Sequence, residues 1–346
     1  MLSDKIIFPQ DEQAHDKIIE WWYWNGHLQD AAGNRYGFMD CLFQAKPAKV
    51  KLPFLKMPFA KAYFSHSILS DIEKQKFYPT VDYVSLLSRD SFRQPLLFIN
   101  YIDTNFLDGY LVSSMVEIAP LKYRLKARNF DLILTTRKKP LLVGDRGYLN
   151  LGKRGTYYYS LTNLRAAGII KLGGKEIKVS GKAWMDHQWA DAPYAHDKWN
   201  WFSLQFDDNT EMLCFEISRA DKKTAVAEIS YPNGKTEHLS EVIFTPTGKE
   251  WASPKTKAKY PLNWQIEIPA KKIKLQVKPL IKNQEMIFGT INYWEGPIAV
   301  SGKLGNKKAN GRGFLELVGR PSQYKTYDFF KESASEMIKN LRKKLT

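Results

Sequence analysis

The chain has little of what usually marks a disulfide-bonded, membrane-spanning or exported protein. It contains two cysteines in 346 residues, Cys41 and Cys214, which excludes a disulfide framework and predicts two buried thiols. No run of 18 apolar residues exists, so no transmembrane helix is expected. The first residues lack the apolar core and the cleavage site of a signal peptide. As written, the chain is expected to be cytoplasmic, whereas a chain whose signal had been removed would be periplasmic or secreted.

The sequence also lacks the short motifs of common enzyme classes. It has no G-x-S-x-G nucleophile elbow, no phosphate-binding P-loop and no H-E-x-x-H zinc motif. Gly311 and Gly313 precede residues 314–318, which are typical of a strand, so they do not predict a dinucleotide site. The six histidines show no i, i+2 or i, i+4 pairing. No metal and no cofactor are therefore predicted, although a metal site assembled from distant strands stays open.

The charge of the chain is strongly unbalanced. Its net charge is +16, from 52 basic and 36 acidic residues. The basic residues are scattered in ones and twos, as in residues 122–128 (KYRLKAR), which is typical of the solvent-facing side of a strand. We therefore expect no nucleic-acid partner. Weak association with anionic membrane surfaces, where apolar molecules reside, follows more naturally from such a charge.

The dominant periodicity of the sequence is two, which is the period of a β-strand. Roughly alternating segments rich in β-branched and aromatic residues are residues 61–70, 111–118, 130–136 and 271–277. Only residues 327–341 have a helical stripe of apolar side chains. The pattern predicts an all-β protein in two halves, with a boundary near residues 190–197 and one C-terminal helix.

Seven of the ten tryptophans fall in three short segments that also carry His, Asp, Glu or Asn. The segments are residues 20–27 (EWWYWNGH), 183–190 (AWMDHQWA) and 199–201 (WNW). Indoles supply large apolar walls with one N–H each, so the clusters predict a pocket for a large apolar ligand with a few polar groups. The ligand-binding residues expected from these segments are Trp22, Trp24, His27, Trp184, Trp189, Trp199 and Trp201.

Three residues are candidates for acid–base chemistry. Asp186 precedes His187, and a carboxylate beside an imidazole can orient it or raise its basicity. In a straight strand the two side chains would face opposite sides, unless the segment turns. Glu216 lies in the strand-like segment 211–216 between apolar neighbours, where burial would raise its pKa as a general acid requires. We therefore predict Asp186, His187 and Glu216 as catalytic residues.

Seven segments occur in an order that is characteristic of a known family and together span about residues 8–320. They are residues 20–28 (EWWYWNGHL), 65–71 (SHSILSD), 157–160 (YYYS), 179–189 (VSGKAWMDHQW), 199–208 (WNWFSLQFDD), 293–297 (YWEGP) and 313–317 (GFLEL). The chain thus resembles the lipocalin-like family that joins carotenoid 1,2-hydratases to bacterial secreted predicted hydrolases. Fungal lipocalin-like hydratases and cyclases are more distant relatives.

The resemblance implies a particular architecture. It implies two successive lipocalin-like (calycin-type) antiparallel β-barrel domains, residues 1–190 and 191–346, the second ending in the short helix. A cavity is expected near the segment that joins them.

The resemblance also implies a chemistry. The hydratases of this family add water to an isolated carbon–carbon double bond, so an acid must protonate the alkene and a cation must survive until water captures it. Aromatic faces stabilise such a cation, and a dry pocket keeps a carboxylic acid protonated. The resemblance places the family's His and Trp at His187 and Trp189, and its acid at Glu216, where the hydratases have Asp. Cys214 stands where a Tyr is expected, and we count it among the ligand-binding residues.

Three functional hypotheses follow. The leading one is cofactor-independent acid–base chemistry, such as hydration of a double bond, on a large isoprenoid-like or lipid-like molecule. The alternative is a non-catalytic carrier or sensor of a hydrophobic ligand. The second alternative is a hydrolase in which His187 activates water.

Overall fold

The computed structural model of the protein describes residues 6–50, 60–88, 91–92, 96–103, 112–144, 146–151, 154–192, 197–219, 222–289, 291–329 and 331–332. Its strands are β1 (Ile19–Asp30), β2 (Arg35–Ala45), β3 (Ala62–Asp71), β4 (Lys76–Asp82), β5 (Ser85–Leu87), β6 (Phe98–Asp103), β7 (Val112–Ala119), β8 (Lys122–Ala127), β9 (Phe130–Thr136), β10 (Leu141–Leu142), β11 (Tyr148–Asn150), β12 (Gly155–Leu172), β13 (Lys175–Ala190), β14 (Lys198–Phe206), β15 (Glu211–Arg219), β16 (Lys222–Ser230), β17 (Thr236–Leu239), β18 (Ile243–Thr247), β19 (Trp251–Ala252), β20 (Lys259–Tyr260), β21 (Asn263–Ile268), β22 (Ile273–Pro279), β23 (Glu285–Phe288), β24 (Ile291–Leu304) and β25 (Lys307–Val318).

Within the described ranges, helical structure is limited to short pieces. The described helices are the 3-10 turns Gln10–Glu12 and Pro269–Lys271, the α-helix Pro47–Val50, and helical residues 326–329 and 331–332. The remainder of the C-terminal helix that the sequence predicts lies outside the described residues. Across the described ranges, every helix is too short to cross a membrane.

Strands β1 to β13 form one antiparallel sheet that nearly closes on itself. Its order is β4-β3-β2-β1-β13-β12-β9-β8-β7-β6-β5, with β10 and β11 also paired to β12. The ring of Phe38 on β2 packs against that of Phe130 on β9 at 5.5 Å, although three strands lie between them in the sheet. A flat sheet could not bring these rings together, so the sheet curls around its own apolar core.

A second antiparallel sheet repeats this topology in the other half of the chain. Its order is β17-β16-β15-β14-β25-β24-β22-β21-β18, with β23 paired to β24. Phe202 on β14 stacks on Phe244 on β18 at 5.6 Å across four intervening strands, so this sheet also curls around a core. In both sheets the first strand pairs with the last. The prediction of an all-β protein built from two successive antiparallel barrels is thereby confirmed.

The two sheets are formed by successive parts of the chain. The first ends at Ala190 and the second begins at Lys198. This is where the composition of the sequence changes, and the assignment of residues 1–190 and 191–346 to separate folding domains stays a prediction.

An apolar core fills the junction between the barrels. Its buried members include Tyr23, Met39 and Trp184 from the first half, and Phe215 and Phe314 from the second. Because apolar side chains from both barrels are buried here, water is excluded from the contact and the halves hold each other in place.

A buried ion pair also crosses the junction. Lys138 Nζ lies 2.5 Å from Glu211 Oε2, and the two side chains are 10% and 0% exposed. Lys138 Nζ also donates to the backbone carbonyl of Asn209 at 2.6 Å. Burial raises the pKa of Glu211 above its ordinary value even though Lys138 favours the charged form. The charge of Glu211 is therefore costly to bury and depends on Lys138.

Replacing Lys138 with Met should destabilise the protein by about 3 kcal/mol, because Glu211 would remain buried without its cation. The free energy of unfolding in urea measures this loss. Lys171→Met is the matched control, since Lys171 pairs with Glu176 at 3.8 Å on the surface with side chains 48% and 63% exposed. That change should cost less than about 0.5 kcal/mol. Equal losses in the two variants would contradict a stabilising role for the buried pair.

Candidate active site between the barrels

A cavity of about 230 Å³ lies between the two barrels. Its walls are largely aromatic and come from both halves, with Trp21, Phe43 and Phe64 on one side and Trp199, Trp201 and Phe215 on the other. A few polar side chains also reach it: Tyr23, His66, Tyr158, Asp186, Gln188, Tyr293, Glu295 and Glu316. An apolar cavity with a few convergent polar groups is the usual form of a small-molecule site.

Strand alternation decides which residues of the tryptophan-rich segment 20–27 reach the cavity. Successive side chains of a strand point to opposite faces. On β1, Trp21 and Tyr23 line the cavity, whereas Trp22 and Trp24 are buried in the core of the first barrel. One strand thus supplies the walls of two different compartments.

The same alternation on β13 separates Asp186 from His187. Asp186 lines the cavity, where its Oδ2 accepts a hydrogen bond from Tyr158 at 2.7 Å. His187 faces the interior of the first barrel, where its Nε2 lies 2.7 Å from Glu20 Oε1. The segment does not turn, and among the described residues the two side chains share no hydrogen-bond partner. They are therefore not arranged as the oriented pair that the sequence suggested.

Two glutamates that sequence reasoning did not assign complete the polar wall. Glu295 on β24 lies directly opposite Glu316 on β25, and both line the cavity. Glu295 is fully buried, and its Oε1 accepts a hydrogen bond from Tyr23 at 2.8 Å. Its Oε2 is buried without a hydrogen-bond partner in the described part of the chain. Glu316 accepts a hydrogen bond from the indole of Trp199 at 2.8 Å.

All three carboxyl groups of the cavity are easier to protonate than ordinary carboxyls. Burial raises the pKa of Asp186 to about 7, although three hydrogen-bond donors oppose the shift. Burial raises the pKa of Glu316 to about 7, and the charge of Asp186 adds to the effect. Burial and the neighbouring Glu316 raise the pKa of Glu295 well above its ordinary range. Burial thus favours the protonated form of Glu295 beside Glu316, which can ionise near neutral pH, and these are the two partners that acid–base chemistry requires.

A neutral imidazole lies on another wall of the cavity. His66 Nδ1 is 2.7 Å from the hydroxyl oxygen of Tyr293, and its Nε2 is buried with no partner among the described residues. Burial lowers the pKa of His66 to about 3, so the ring stays uncharged at neutral pH. Its Nε2 can therefore hold a hydroxyl group or a water molecule without adding charge.

Three of the predicted ligand-binding tryptophans lie at the cavity or directly behind it. Trp199 and Trp201 line it, and the indole N–H of Trp201 donates to the Tyr158 hydroxyl at 3.0 Å. Trp184 lies behind the wall, where its indole N–H donates to Asp186 at 2.7 Å. Residues from both predicted segments, 183–190 and 199–201, thus lie at the same cavity.

The other predicted ligand-binding residues lie elsewhere. Trp22, Trp24 and Trp189 are buried in the first barrel, and Cys214 is buried in the second. His27 lies in the junction and donates from Nε2 to the Gly313 carbonyl at 2.8 Å.

The predicted acid Glu216 is also placed away from the cavity. Its neighbours Phe215 and Ile217 line the cavity, so the alternation of β15 turns Glu216 to the other face. There it accepts a hydrogen bond from Asn200 at 3.2 Å and lies 2.5 Å from Lys223 Nζ. Glu216 therefore has its own partners and does not take part in the polar wall.

A second polar cluster lies on the opposite face of β1 and β13, inside the first barrel. Glu20 Oε1 is 2.8 Å from His15 Nδ1 and 2.7 Å from His187 Nε2. Trp22 stacks on His187 at 4.8 Å, and Trp189 stacks on His15 at 3.9 Å. Burial raises the pKa of Glu20, but the hydrogen bonds from both histidines outweigh it and leave the pKa below its ordinary value. Glu20 is therefore a buried carboxylate between two imidazoles.

Glu316→Gln should flatten the pH dependence of stability. The pKa of Glu316 rises from 4.5 to about 7 on folding. Its contribution to stability is therefore fully present below pH 4.5 and is lost as the pH rises through about 7. The parent should lose about 2 kcal/mol more than Glu316→Gln between these limits, measured as the free energy of unfolding in urea.

Glu267→Gln is the control for this measurement. Glu267 pairs with Lys274 at 2.9 Å on the surface, and this contact lowers its pKa. A group whose pKa is lowered by folding does not lose stability as the pH rises from 4.5 to about 7. Glu267→Gln should therefore leave the loss of stability between these two pH values unchanged. A decline in Glu316→Gln as steep as that of the parent would show that Glu316 is not held protonated by the fold.

Known proteins with similar sequences include two fungal enzymes. Kievitone hydratase from Fusarium solani is 24% identical over 198 residues, which are 55% of this chain and 56% of that protein. The dehydratase asqC from Emericella nidulans is 23% identical over 205 residues, covering 55% and 58% of the two chains. The chain thus spans little more than half the length of the curated relatives it matches.

Solved structures extend the likeness to nearly the whole chain. The crystal structure of a protein described as AttH, from Nitrosomonas europaea, has 27% sequence identity and a TM-score of 0.74, covering 93% of this chain and 99% of that one. Kievitone hydratase from Nectria haematococca has 17% identity and a TM-score of 0.72, covering 91% and 93%, and this likeness concerns the fold alone.

The match to a family model also extends over most of the chain. The model of the AttH-like family matches residues 2–320, which include both barrels and every residue of the cavity wall. The chain therefore belongs to the AttH-like family, which confirms its resemblance to the lipocalin-like hydratases and predicted hydrolases.

Proposed function

We propose that the protein adds water to, or removes water from, a large apolar molecule whose reacting end lies in the cavity between the barrels. The observation that carries the proposal is the pair Glu295 and Glu316, which lie directly opposite each other in an apolar cavity. Glu295 Oε2 has no hydrogen-bond partner among the residues that the structure describes. The similarity of the chain to a hydratase and a dehydratase supports this class of reaction.

Glu295 is the general acid of the proposed reaction. Burial and the neighbouring Glu316 raise its pKa well above the ordinary range, which favours the protonated form that a general acid requires. In the hydration direction, the proton moves from Oε2 to one carbon of the double bond, and the positive charge develops on the more substituted carbon. Tyr23 holds Oε1 at 2.8 Å, which leaves Oε2 to face the substrate. The walls stabilise the cation through the faces of Trp21, Trp199 and Trp201.

Glu316 is the proton acceptor. With a pKa of about 7, a large fraction of it is ionised at neutral pH. Water adds to the cation, and Glu316 takes the proton that the bound water loses. Transfer of a proton from Glu316 to Glu295 across the strand pair then restores the starting state. Dehydration is the reverse sequence. A proton first moves from Glu295 to Glu316, Glu316 then protonates the leaving hydroxyl, and Glu295 receives the proton lost from carbon.

Asp186 helps to maintain the protonation states proposed for Glu295 and Glu316. Tyr158, Ser160 and Trp184 donate hydrogen bonds to its two oxygens and fix its position. Its negative charge, when present, favours the protonated form of Glu316. Asp186 is therefore a positioning residue, and its charge influences the protonation state of Glu316.

The volume of the cavity limits the substrate. Ligand pockets usually measure about 300–1,000 Å³, and this one measures about 230 Å³. We therefore expect it to take the reacting end of an isoprenoid-like or lipid-like molecule, such as a prenyl group. His66 Nε2 is available to hold a hydroxyl group on that end.

Glu295→Gln should reduce kcat by about a thousandfold, the range expected for loss of a general acid, while ligand uptake is retained. The probes are farnesol and a prenylated phenol, incubated in water labelled with ¹⁸O, with the labelled tertiary alcohol measured by mass spectrometry. The corresponding tertiary alcohols test dehydration. Quenching of tryptophan fluorescence reports uptake separately.

Glu216→Gln is the matched control, since Glu216 is buried on β15 of the same sheet but faces away from the cavity. It should retain turnover within about twofold. Equal turnover of Glu295→Gln and the parent would remove Glu295 from the mechanism. Probe uptake with neither a labelled alcohol in the hydration assay nor an alkene in the dehydration assay would instead favour the carrier hypothesis.

A further inference from the structure

The polar cluster inside the first barrel brings together residues that are far apart in the sequence. His15 precedes β1, Glu20 lies at the start of β1, and His187 lies near the end of β13. One nitrogen of each imidazole and one oxygen of Glu20 all lie within 4.8 Å of one another. Glu20 and His187 are fully buried, and the side chain of His15 is 19% exposed. The cluster is therefore closed on the barrel side and can be reached from the surface beside His15.

Two of the three spacings in this cluster match those of ligands around a metal ion, and the two imidazole nitrogens lie within 4.8 Å of each other. Zinc binds imidazole nitrogen and carboxylate oxygen at about 2.0–2.2 Å, so neighbouring ligand atoms around it are roughly 3 Å apart. Glu20 Oε1 lies 2.8 Å from His15 Nδ1 and 2.7 Å from His187 Nε2. Two imidazoles and one carboxylate are also a ligand set that zinc uses when it keeps an open position.

The atoms behind the ligands are arranged as they are around bound metals. Metal-bound histidines usually donate their second N–H to a carboxylate or another oxygen, which fixes the ring. His15 Nε2 lies 3.2 Å from Asp11 Oδ1, and His187 Nδ1 lies 3.3 Å from the Tyr159 hydroxyl. Asp11 Oδ1 and the Tyr159 hydroxyl can each accept a hydrogen bond from the outer N–H of its histidine when the other ring nitrogen, which faces Glu20, binds an ion.

The carboxylate is held in a corresponding way. Glu20 Oε2 accepts hydrogen bonds from the backbone N–H of His15 at 2.8 Å and from the side-chain amide of Gln44. These bonds leave Oε1 for the two imidazoles or for an ion between them. The orientation of all three ligands is thus fixed by groups outside the cluster.

We propose that His15, Glu20 and His187 form a binding site for one divalent transition-metal ion of the zinc class. The site lies on the opposite face of β1 and β13 from the cavity, so it is independent of the proposed hydration reaction. Its ion joins the segment before β1 to the barrel. That segment already contacts the barrel interior through Phe8, whose ring packs on Tyr159 at 4.8 Å, and through Glu12, which accepts a hydrogen bond from Tyr123 at 2.6 Å.

The test is a calorimetric titration of the untagged full chain with zinc chloride after removal of metals with a chelator. One ion per chain should bind with a Kd of about 1 µM or tighter, which is moderate for a site with two histidines and a carboxylate. Glu20→Gln and His15→Ala should each weaken binding by about a hundredfold. Zinc in excess should raise the Tm of the parent and not of these variants.

His15→Ala keeps the test valid if changes at the fully buried residues disturb folding, because His15 lies outside the strands and is partly exposed. Circular dichroism and the Tm without metal verify that it folds. Cobalt(II) provides a second readout, since ligation by two nitrogens and an oxygen gives visible absorption bands that the variants should lack.

His238→Ala is the matched control. His238 Nδ1 lies 2.6 Å from Glu228 Oε1, but among the described residues only this histidine and this carboxylate meet there. This change should leave zinc binding unaltered. Absence of stoichiometric binding to the parent, binding that survives Glu20→Gln and His15→Ala, or loss in His238→Ala would each overturn the proposal. None of these results would alter the turnover expected of Glu295.

Discussion

Glu295 and Glu316 face each other on neighbouring strands, where two negative charges would repel strongly. Like charges directly opposite in a sheet are destabilising, and in an apolar surrounding the repulsion is larger still. The pair is stable in this position only if at least one of the two carboxyls stays protonated. That requirement depends on the apolar junction, because water entering the cavity would solvate both charges and remove the constraint. The packing of the two barrels therefore controls the protonation state of the site.

The period of two along β1 and β13 divides the polar residues of the molecule between two compartments. Tyr23 and Asp186 face the cavity, and Glu20 and His187 face the interior of the first barrel. Lipocalin-like barrels are commonly described as ligand containers, but here aromatic side chains such as Trp22 fill much of the first interior. The apolar cavity lies instead on the outer faces of the strands, where the second barrel closes it.

Much of the fold could be read from the sequence, because period-two alternation and regularly spaced turn residues depend only on local chemistry. Two of the tryptophan clusters also contribute to the cavity, where Trp199, Trp201 and Asp186 meet. The acids were harder to find. Glu216 and Glu295 both lie between apolar neighbours in a strand, and the sequence does not say which face of the strand meets the other barrel.

The pairing of Glu295 with Glu316 illustrates the same limit. Both lie in segments that carry the family resemblance, residues 293–297 and 313–317. The sequence therefore marked the two segments but assigned no function to Glu295 or Glu316. Their apposition depends on the register of β24 and β25, and register is a property of the folded sheet. The cluster of His15, Glu20 and His187 likewise joins residues that no short spacing connects.

The polar contacts of the cavity join residues of different barrels. Tyr23 of the first barrel holds Glu295 of the second, and Trp201 of the second holds Tyr158 of the first. Each half thus orients polar groups that the other half contributes to the cavity. A new arrangement of this polar wall therefore requires matched changes in two distant parts of the gene. A chimera that combined the first barrel of one family member with the second barrel of another would keep the polar wall only where both sets of contacts were compatible.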